Sequence, residues 1–318
     1  MNLNFKSNLG EQILKNTWRF DNTELKYLRE VIDSGFASST SGSMNNRFEE
    51  AFSKKVGSKY AITFNSGTGT LQAALYACNV GYGDEVITTP LTVISNLYVI
   101  LAQNAVPIFA DIDEETFNID PKSIEKKITK RTKAIIPVAL YGLCCDMDPI
   151  MEIARKNKIP VIMDAAEAHM AKYKNIPIAK IADITSYSTE NSKQITTGDG
   201  GIVVTNNENY AIKMRKFGSL GYASLPAKDG RIRRMKDIFQ DPNYKRHDDF
   251  GYNFRMPEVA AALGLAQTEK IDYFINLRIK IANLYEEATK NCDYLTPQKK
   301  DPEYFHTYWT WTCKFENK

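Results

Sequence analysis

The sequence predicts an α/β fold in which helices flank a mainly parallel β-sheet. Short apolar stretches alternate with helical ones along the chain, and this order is typical of crossover units that join parallel strands. A glycine-rich turn at residues 65–70 joins a strand to a helix, and Asp164 directly follows another buried strand. Because ligands of such sheets bind beyond the carboxyl ends of the strands, these two places form the candidate site.

Hydrophobic periodicity and capping residues place the elements in order. The predicted helices cover residues 23–34, 46–56, 71–78, 94–104, 121–128, 148–157, 210–217, 257–270 and 273–290. The predicted strands cover residues 60–64, 85–88, 106–110, 133–140, 159–163, 202–205 and 308–311. Residues 218–246 show no period, which is typical of a functional or mobile loop. The helix at 257–270 is rich in alanine, so we expect it to pack tightly in the core or against another subunit.

Composition indicates a globular protein with no charged partner surface. The 318 residues suffice for one large domain or two, and 43% of them are hydrophobic. The net charge of +3 gives no electrostatic case for nucleic acid or a membrane as the main partner. No apolar segment has the length of a signal peptide or a membrane span. The five cysteines are odd in number and lack metal-ligand spacing, so we expect a cytoplasmic protein without a metal site.

Lys193 has an unusual setting for a lysine. Its neighbours are small or hydroxylated: Ser188, Thr189, Ser192, Thr196, Thr197, Gly198, Gly200 and Gly201. A lysine amine in such a pocket can lose its proton and form a Schiff base with a carbonyl, as lysine does toward pyridoxal phosphate. The alternative is an ordinary loop lysine, since functional lysines are a minority.

Two further places could hold the other ends of a phosphorylated pyridine. The turn at 65–70, with Ser66, Gly67 and Thr68, presents backbone N–H groups at a helix N-terminus and predicts an anion site; otherwise its glycines only permit a tight turn. Asp164 could pair with a protonated ring nitrogen, or it could be a plain helix N-cap. His169 nearby is more typical of a packed structural histidine than of a catalyst.

Several motifs occur together in a fixed order. They are Asn-Ser-Gly-Thr at 65–68, Gly-Asp-Glu-Val at 83–86, Asp-Ile-Asp at 111–113, Leu-Tyr-Gly at 140–142, Asp-Met-Asp at 146–148, Asp-Ala-Ala-Glu-Ala-His at 164–169, Lys193 with Thr-Gly-Asp-Gly-Gly at 197–201, and Gly-Tyr-Asn-Phe-Arg-Met at 251–256. Through them the chain resembles the DegT/DnrJ/EryC1/StrS family of pyridoxal-phosphate-dependent nucleotide-sugar aminotransferases, most closely its perosamine-synthase-like members.

The resemblance implies a fold and two domains. The fold is that of aspartate aminotransferase, a type I pyridoxal-phosphate-dependent transferase. Residues 1–250 would form the large cofactor-binding domain. Residues 251–318 would begin a smaller C-terminal α+β domain, which we expect to be incomplete in this sequence.

The resemblance also implies roles for single residues. Lys193 falls on the Schiff-base lysine, which also moves the proton between cofactor and substrate. Asp164 falls on the partner of the pyridinium, and Glu167 on the residue that contacts the phenolic oxygen. The residues that match the phosphate cup are Ser66, Gly67, Thr68 and Ser188. Asn253 matches a residue that reaches the phosphate in the partner subunit, which implies a homodimer with shared active sites.

The departures from the family pattern lie on the substrate side. Val93 stands where an aromatic ring often covers the cofactor, so we expect the stacking to be aliphatic or to come from elsewhere in the chain. Ala139 replaces a histidine before the Leu-Tyr-Gly triplet. Glu190 replaces a histidine or aromatic residue three positions before the lysine. These changes concern the choice of sugar more than the cofactor.

The function that the resemblance implies is transfer of an amino group from L-glutamate to a nucleotide-linked keto sugar, such as an NDP-4-keto-6-deoxyhexose, for surface-glycan or glycoside biosynthesis. The cofactor would be pyridoxal 5'-phosphate, with pyridoxamine 5'-phosphate as its intermediate form. One alternative is a sugar 3-dehydratase of the same scaffold, although that branch has histidine in place of Lys193. A second alternative is a non-catalytic regulatory protein with this fold.

Overall fold

The computed structural model describes residues 19–232, 238 and 240–316. The helices in that part of the chain are α1 (Asn22–Asp33), α2 (Met44–Val56), α3 (Gly67–Ala77), α4 (Ser95–Ala102), α5 (Pro121–Lys127), α6 (Met147–Asn157), α7 (Glu208–Gly218), α8 (Glu258–Glu269) and α9 (Ile271–Thr289). None of these helices has the length and apolar character that crossing a membrane requires.

The central sheet is mainly parallel, as predicted. Its strands are β1 (Tyr60–Phe64), β2 (Glu85–Thr88), β3 (Val106–Phe109), β4 (Thr132–Ile136), β5 (Ile162–Asp164), β8 (Ile184–Ser188) and β9 (Gly201–Thr205). Strand β2 pairs in parallel with β3 and β4, and parallel bridges join the β4 segment to the β5 segment. Strand β5 pairs in parallel with β8, whereas β9 runs antiparallel to both β8 and β1. The order is therefore β3-β2-β4-β5-β8-β9-β1, with β9 reversed.

Two short antiparallel pairs complete the described strands. Strands β6 (Lys172–Tyr173) and β7 (Ile176–Pro177) form one antiparallel pair. Strands β10 (Leu295–Pro297) and β11 (Cys313–Phe315) form the other.

The two faces of the central sheet bury separate apolar cores. Ile202 and Val204 of β9 contribute to one core and Val203 to the other, as the alternation of a strand requires. Helices α1, α2, α5, α6, α8 and α9 close the first core, and helices α3, α4 and α7 close the second. The alanine-rich α8 packs against α1 and α2. A Cβ on its Gly264 would lie 2.5 Å from the ring of Phe48, so small residues are needed for this close approach.

Some element boundaries differ from the predictions. Helix α3 begins at Gly67 instead of residue 71, so the glycine-rich turn is itself the first helical turn. The strand predicted at 308–311 is wrong, because Tyr308 has a φ of 45° that a strand cannot contain, and β11 begins only at Cys313. Strand β8 lacked a prediction. The loop prediction at 218–246 includes residues 233–237 and 239, which lie outside the described residues, and the domain boundary near residue 250 stays a prediction.

Candidate active site

A cavity of about 390 Å³ opens where the carboxyl ends of strands β1, β5 and β8 meet. These strands run in the same direction, so the residues that end or follow them reach the same edge of the sheet. The predicted site residues that line the cavity are Ser66, Gly67, Thr68, Val93, Asp164, Glu167, Ser188 and Lys193. Of the predicted set, Asn253 lies elsewhere.

One end of the cavity is the N-terminus of helix α3. Ser66 caps the helix, because its hydroxyl accepts the backbone N–H of Gly69 at 3.0 Å. A Cβ on Gly67 would lie 2.8 Å from the Cβ of Ser188, so only glycine fits between the helix and β8. The dipole of α3 favours an anion at this end. This end of the cavity therefore fits the phosphate of a cofactor.

Asp164 ends strand β5 with a buried carboxyl group. Its Oδ1 accepts the backbone N–H of Ala166 at 3.0 Å. Burial raises the pKa of this carboxyl to about 6, with the nearby Glu167 acting in the same direction. Turns, and not a helix, follow it in the chain, so the helix N-cap alternative is wrong. A buried carboxylate of this kind fits a ligand that brings its own positive charge, such as a protonated pyridine nitrogen.

Lys193 and Glu167 form a buried ion pair in the same cavity. Nζ of Lys193 lies 3.3 Å from Oε1 of Glu167, and both side chains are at most one-tenth exposed. The other carboxylate oxygen of Glu167 accepts the backbone N–H of Tyr141 at 2.9 Å. Two guanidinium groups, those of Arg19 and Arg278, donate to the backbone carbonyl of Lys193 at 2.8 and 3.2 Å. The amine is therefore held in the cavity, unlike that of a solvated loop lysine.

Trp309 covers the amine from the C-terminal part of the chain. Nζ of Lys193 lies 4.3 Å from the centre of the indole ring, which is a cation–π distance. Arg278 donates to the backbone carbonyl of Trp309 at 2.6 Å and thereby joins helix α9 to the lysine loop. The sequence patterns gave no signal for Trp309, because its contact spans more than a hundred residues of chain.

Residues 19–318 match the DegT/DnrJ/EryC1/StrS aminotransferase family. The chain belongs to this family. It is 39% identical over 286 residues to a GDP-perosamine synthase of Escherichia coli O157:H7, a match that covers 90% of this chain and 73% of that protein. It is 33% identical to an aminotransferase from Psychrobacter cryohalolentis, with a TM-score of 0.82, 91% of this chain covered and 74% of that chain.

A third comparison concerns the cofactor. NtdA from Bacillus subtilis, solved with bound cofactor PMP, is 30% identical, with a TM-score of 0.77 over 93% of this chain and 63% of that chain. The protein is therefore a pyridoxal-phosphate-dependent sugar aminotransferase with the type I fold. The helix terminus, the buried Asp164 and the enclosed Lys193 fit this cofactor's phosphate, ring nitrogen and aldehyde carbon.

The remaining predicted residues of the aminotransferase have different surroundings. Val93 lines the cavity, and the residue is 56% exposed. Asn253 is bridged through its backbone to Ser219 and lies beside a different surface cavity, with Phe36 and Arg255. Its role toward a partner subunit stays a prediction.

His169 of the aminotransferase is a packed residue. Its ring is fully buried against Phe52 and Tyr187, and Nδ1 hydrogen-bonds Oε1 of Gln194 at 2.9 Å. Burial lowers the pKa of His169 to about 3, so the ring stays neutral at physiological pH. This environment agrees with the structural interpretation.

Proposed function

We propose that this aminotransferase moves an amino group from L-glutamate to a nucleotide-linked keto sugar, an NDP-4-keto-6-deoxyhexose, for surface-glycan or glycoside biosynthesis. The observation that carries the proposal is the enclosed amine of Lys193, beside Glu167 and in one cavity with Asp164 and the N-terminus of α3. The similarity to a GDP-perosamine synthase supports a sugar nucleotide as the amino acceptor.

The residues of the cavity would divide the work. Bound pyridoxal phosphate supplies an electrophilic carbon and an electron-accepting ring. Asp164 would hold the ring nitrogen in its protonated state, since a buried carboxylate favours a neighbouring positive charge. Ser66, Gly67, Thr68 and Ser188 would hold the phosphate. In each half-reaction, Nζ of Lys193 would move a proton between the substrate carbon and the cofactor.

Glu167 would position the lysine. Its Oε2 is fixed by the N–H of Tyr141, so its Oε1 keeps the amine of Lys193 near the centre of the cavity. From the family resemblance, the same carboxyl group would also contact the phenolic oxygen of the ring. The presence of Lys193 argues against the sugar 3-dehydratase alternative, because that branch of the family has histidine at this position.

We extend the proposal to the assembly and its surroundings. The enzyme would act as a homodimer in which Asn253 of each chain serves the other chain's cofactor. It would work in the cytoplasm, for which the five free cysteines are the support. The division into a large domain up to residue 250 and a smaller one after it belongs to the same proposal.

A screen tests the function directly. Purified protein loaded with pyridoxal phosphate should show a visible absorbance band that L-glutamate bleaches, and an amino sugar should appear when UDP-, dTDP- or GDP-linked keto sugars are added. Mass spectrometry of the sugar nucleotide measures the product. Bleaching without any aminated sugar across the screen would contradict the proposed acceptor, and a loaded protein that glutamate leaves unchanged would contradict the proposed donor.

A further inference from the structure

One wall of the cavity is not used by the predicted cofactor contacts. It consists of Glu190, Ser192 and Trp309, which all line the cavity beside Lys193. Ser192 joins the other two: its backbone N–H and hydroxyl donate to Oε2 of Glu190 at 2.9 and 2.6 Å, and its carbonyl accepts Nε1 of Trp309 at 3.0 Å. A single residue thus fixes a carboxylate and an indole relative to each other.

The carboxylate of Glu190 is ionised and has acceptor capacity left. Partial burial opposes ionisation, but the hydrogen bonds from Ser192 and the charge of Lys193 outweigh it and lower the pKa of Glu190. A carboxylate offers about four lone-pair sites. The two hydrogen bonds from Ser192 both use Oε2, so a ligand hydroxyl could still be bound.

The indole of Trp309 is held on several sides. Nε1 is engaged by Ser192, the backbone carbonyl is bound by Arg278, and the ring stacks with Tyr141 at an interplanar angle of 6°. The ring face lies 4.3 Å from Nζ of Lys193. Any substrate carbon that comes within reach of this amine therefore approaches the indole as well.

An aromatic face beside a fixed carboxylate suits a hydroxylated sugar ring. The C–H bonds of the ring can lie on the indole while its hydroxyls donate to the carboxylate. The same negative charge disfavours the carboxylates of L-glutamate and the diphosphate of the nucleotide at this wall. Of the glutamate carboxylates, the diphosphate and the keto-sugar ring, the sugar ring is the part that suits this wall.

We infer that Trp309 and Glu190 form the subsite for the keto-sugar ring, and that Glu190 selects a sugar by accepting one of its ring hydroxyls. This rests on the proposed function, because it assigns the acceptor of that same reaction. Ser192 is the positioning residue that keeps the two groups together.

The test compares the two half-reactions, each followed through the absorbance of the bound cofactor. Glu190→Ala should lower kcat/KM of the keto-sugar half-reaction by about ten- to a hundredfold, the effect of a lost hydrogen bond to a charged group, and Glu190→Gln should lower it less. Trp309→Phe should keep most of this rate and Trp309→Ala should lose it. In the two Glu190 variants the glutamate half-reaction should stay within about twofold of wild type, because glutamate offers no ring hydroxyl to this carboxylate. Trp309→Ala should lower the keto-sugar half-reaction more than the glutamate half-reaction, since both substrates approach the amine beside the indole.

Matched controls lie outside the cavity. Glu152→Gln changes an exposed carboxyl on α6, and Trp311→Phe changes the indole that stacks on Tyr285 instead of covering Lys193. Both half-reactions should keep their wild-type rates in these controls.

A substrate analogue sharpens the assignment. Each analogue in a series of keto-sugar nucleotides lacks one ring hydroxyl. The wild type should react poorly with the analogue that lacks the hydroxyl bound by Glu190. The Glu190→Ala variant should react equally well with that analogue and with the parent sugar. The inference would be overturned if a variant lost the same factor in the rates of both half-reactions. It would also be overturned if, for every hydroxyl, the rate loss from its removal and the rate loss from Glu190→Ala simply multiplied. A wild type that runs the glutamate half-reaction but aminates no sugar would instead contradict the proposed function, so the two failures differ.

Discussion

The amine of Lys193 and the carboxylate of Glu167 form an ion pair of 3.3 Å in which both groups are buried. In water such a pair contributes little, but in a cavity each charge depends on the other, because desolvation makes an unpaired charge costly. The pair therefore links the amine of Lys193 to the stability of the cofactor-free fold.

Replacing the lysine should expose this link. Lys193→Ala should abolish the cofactor's visible band and amino transfer, and it should also lower the free energy of unfolding by about 3 kcal/mol because Glu167 stays buried without its partner. Adding Glu167→Gln should recover most of that stability but none of the activity. Urea unfolding of the cofactor-free variants measures the first effect. If the stability losses of the two substitutions were additive in the double variant, the two side chains would not be energetically coupled.

Asp164 predicts opposite effects of one substitution on stability and on cofactor binding. In the folded chain its pKa is about 6, against 3.8 for an ordinary aspartate. The stability that this raised pKa contributes is present below pH 3.8 and is lost as the pH rises through 6. The loss in the free energy of unfolding is at most about 3 kcal/mol, because the pKa is raised by about two units. Asp164→Asn should remove this loss and flatten the cofactor-free stability profile between pH 4 and 7.

The same variant should bind pyridoxal phosphate at least about tenfold more weakly, because the ring nitrogen loses its charged partner. Denaturation at a series of pH values and a cofactor titration measure the two effects. If the stability of wild type and variant changed with pH in the same way, burial would not raise the pKa of the Asp164 carboxyl.

The close contact of Gly67 with strand β8 predicts a steric effect. In Gly67→Ala the added Cβ would lie 2.8 Å from the Cβ of Ser188, so the helix start must shift. We expect a cost of about 1 to 3 kcal/mol and weaker cofactor binding. Gly81→Ala is the matched control, since nothing lies within 4 Å of its added Cβ. Equal melting temperatures and equal cofactor affinities in the two variants would contradict the predicted steric effect at Gly67.

The local parts of this site could be predicted from the sequence because each has its chemical signal in neighbouring residues. Asp164, Lys193 and the turn after β1 carry signals within a few residues of chain. Strand β8 had no such signal, since its polar sequence Ile-Thr-Ser-Tyr-Ser lacks an apolar run and its burial comes from neighbours on both sides.

Trp309 shows the other limit of prediction from sequence. Its segment combines aromatic and threonine residues, which favour a strand, yet Tyr308 has a left-handed conformation and the backbone of Gly142 approaches it closely. The position of the indole over Lys193 depends on Arg278 and Ser192, two contacts that are remote in sequence. Tertiary hydrogen bonds, not local propensity, decide where this side chain lies.

Asn253 allows a test of the shared active site by mixing two inactive chains. Lys193→Ala lacks the amine, and Asn253→Asp should impair phosphate binding because it places a like charge beside it. If Asn253 serves the partner's cofactor, a mixed dimer contains one site with both native residues. Random reassembly of equal amounts should then restore about one quarter of wild-type activity, since half of the dimers are mixed and each has one intact site.

The control for this experiment is each variant reassembled with itself, which should stay inactive. If Asn253 acted within its own chain, no mixed dimer would contain an intact site and the mixture would be as inactive as its components. Sedimentation of the mixture checks that dimers have formed. Because Asn253 lies outside the cavity of its own chain, we expect the restored activity.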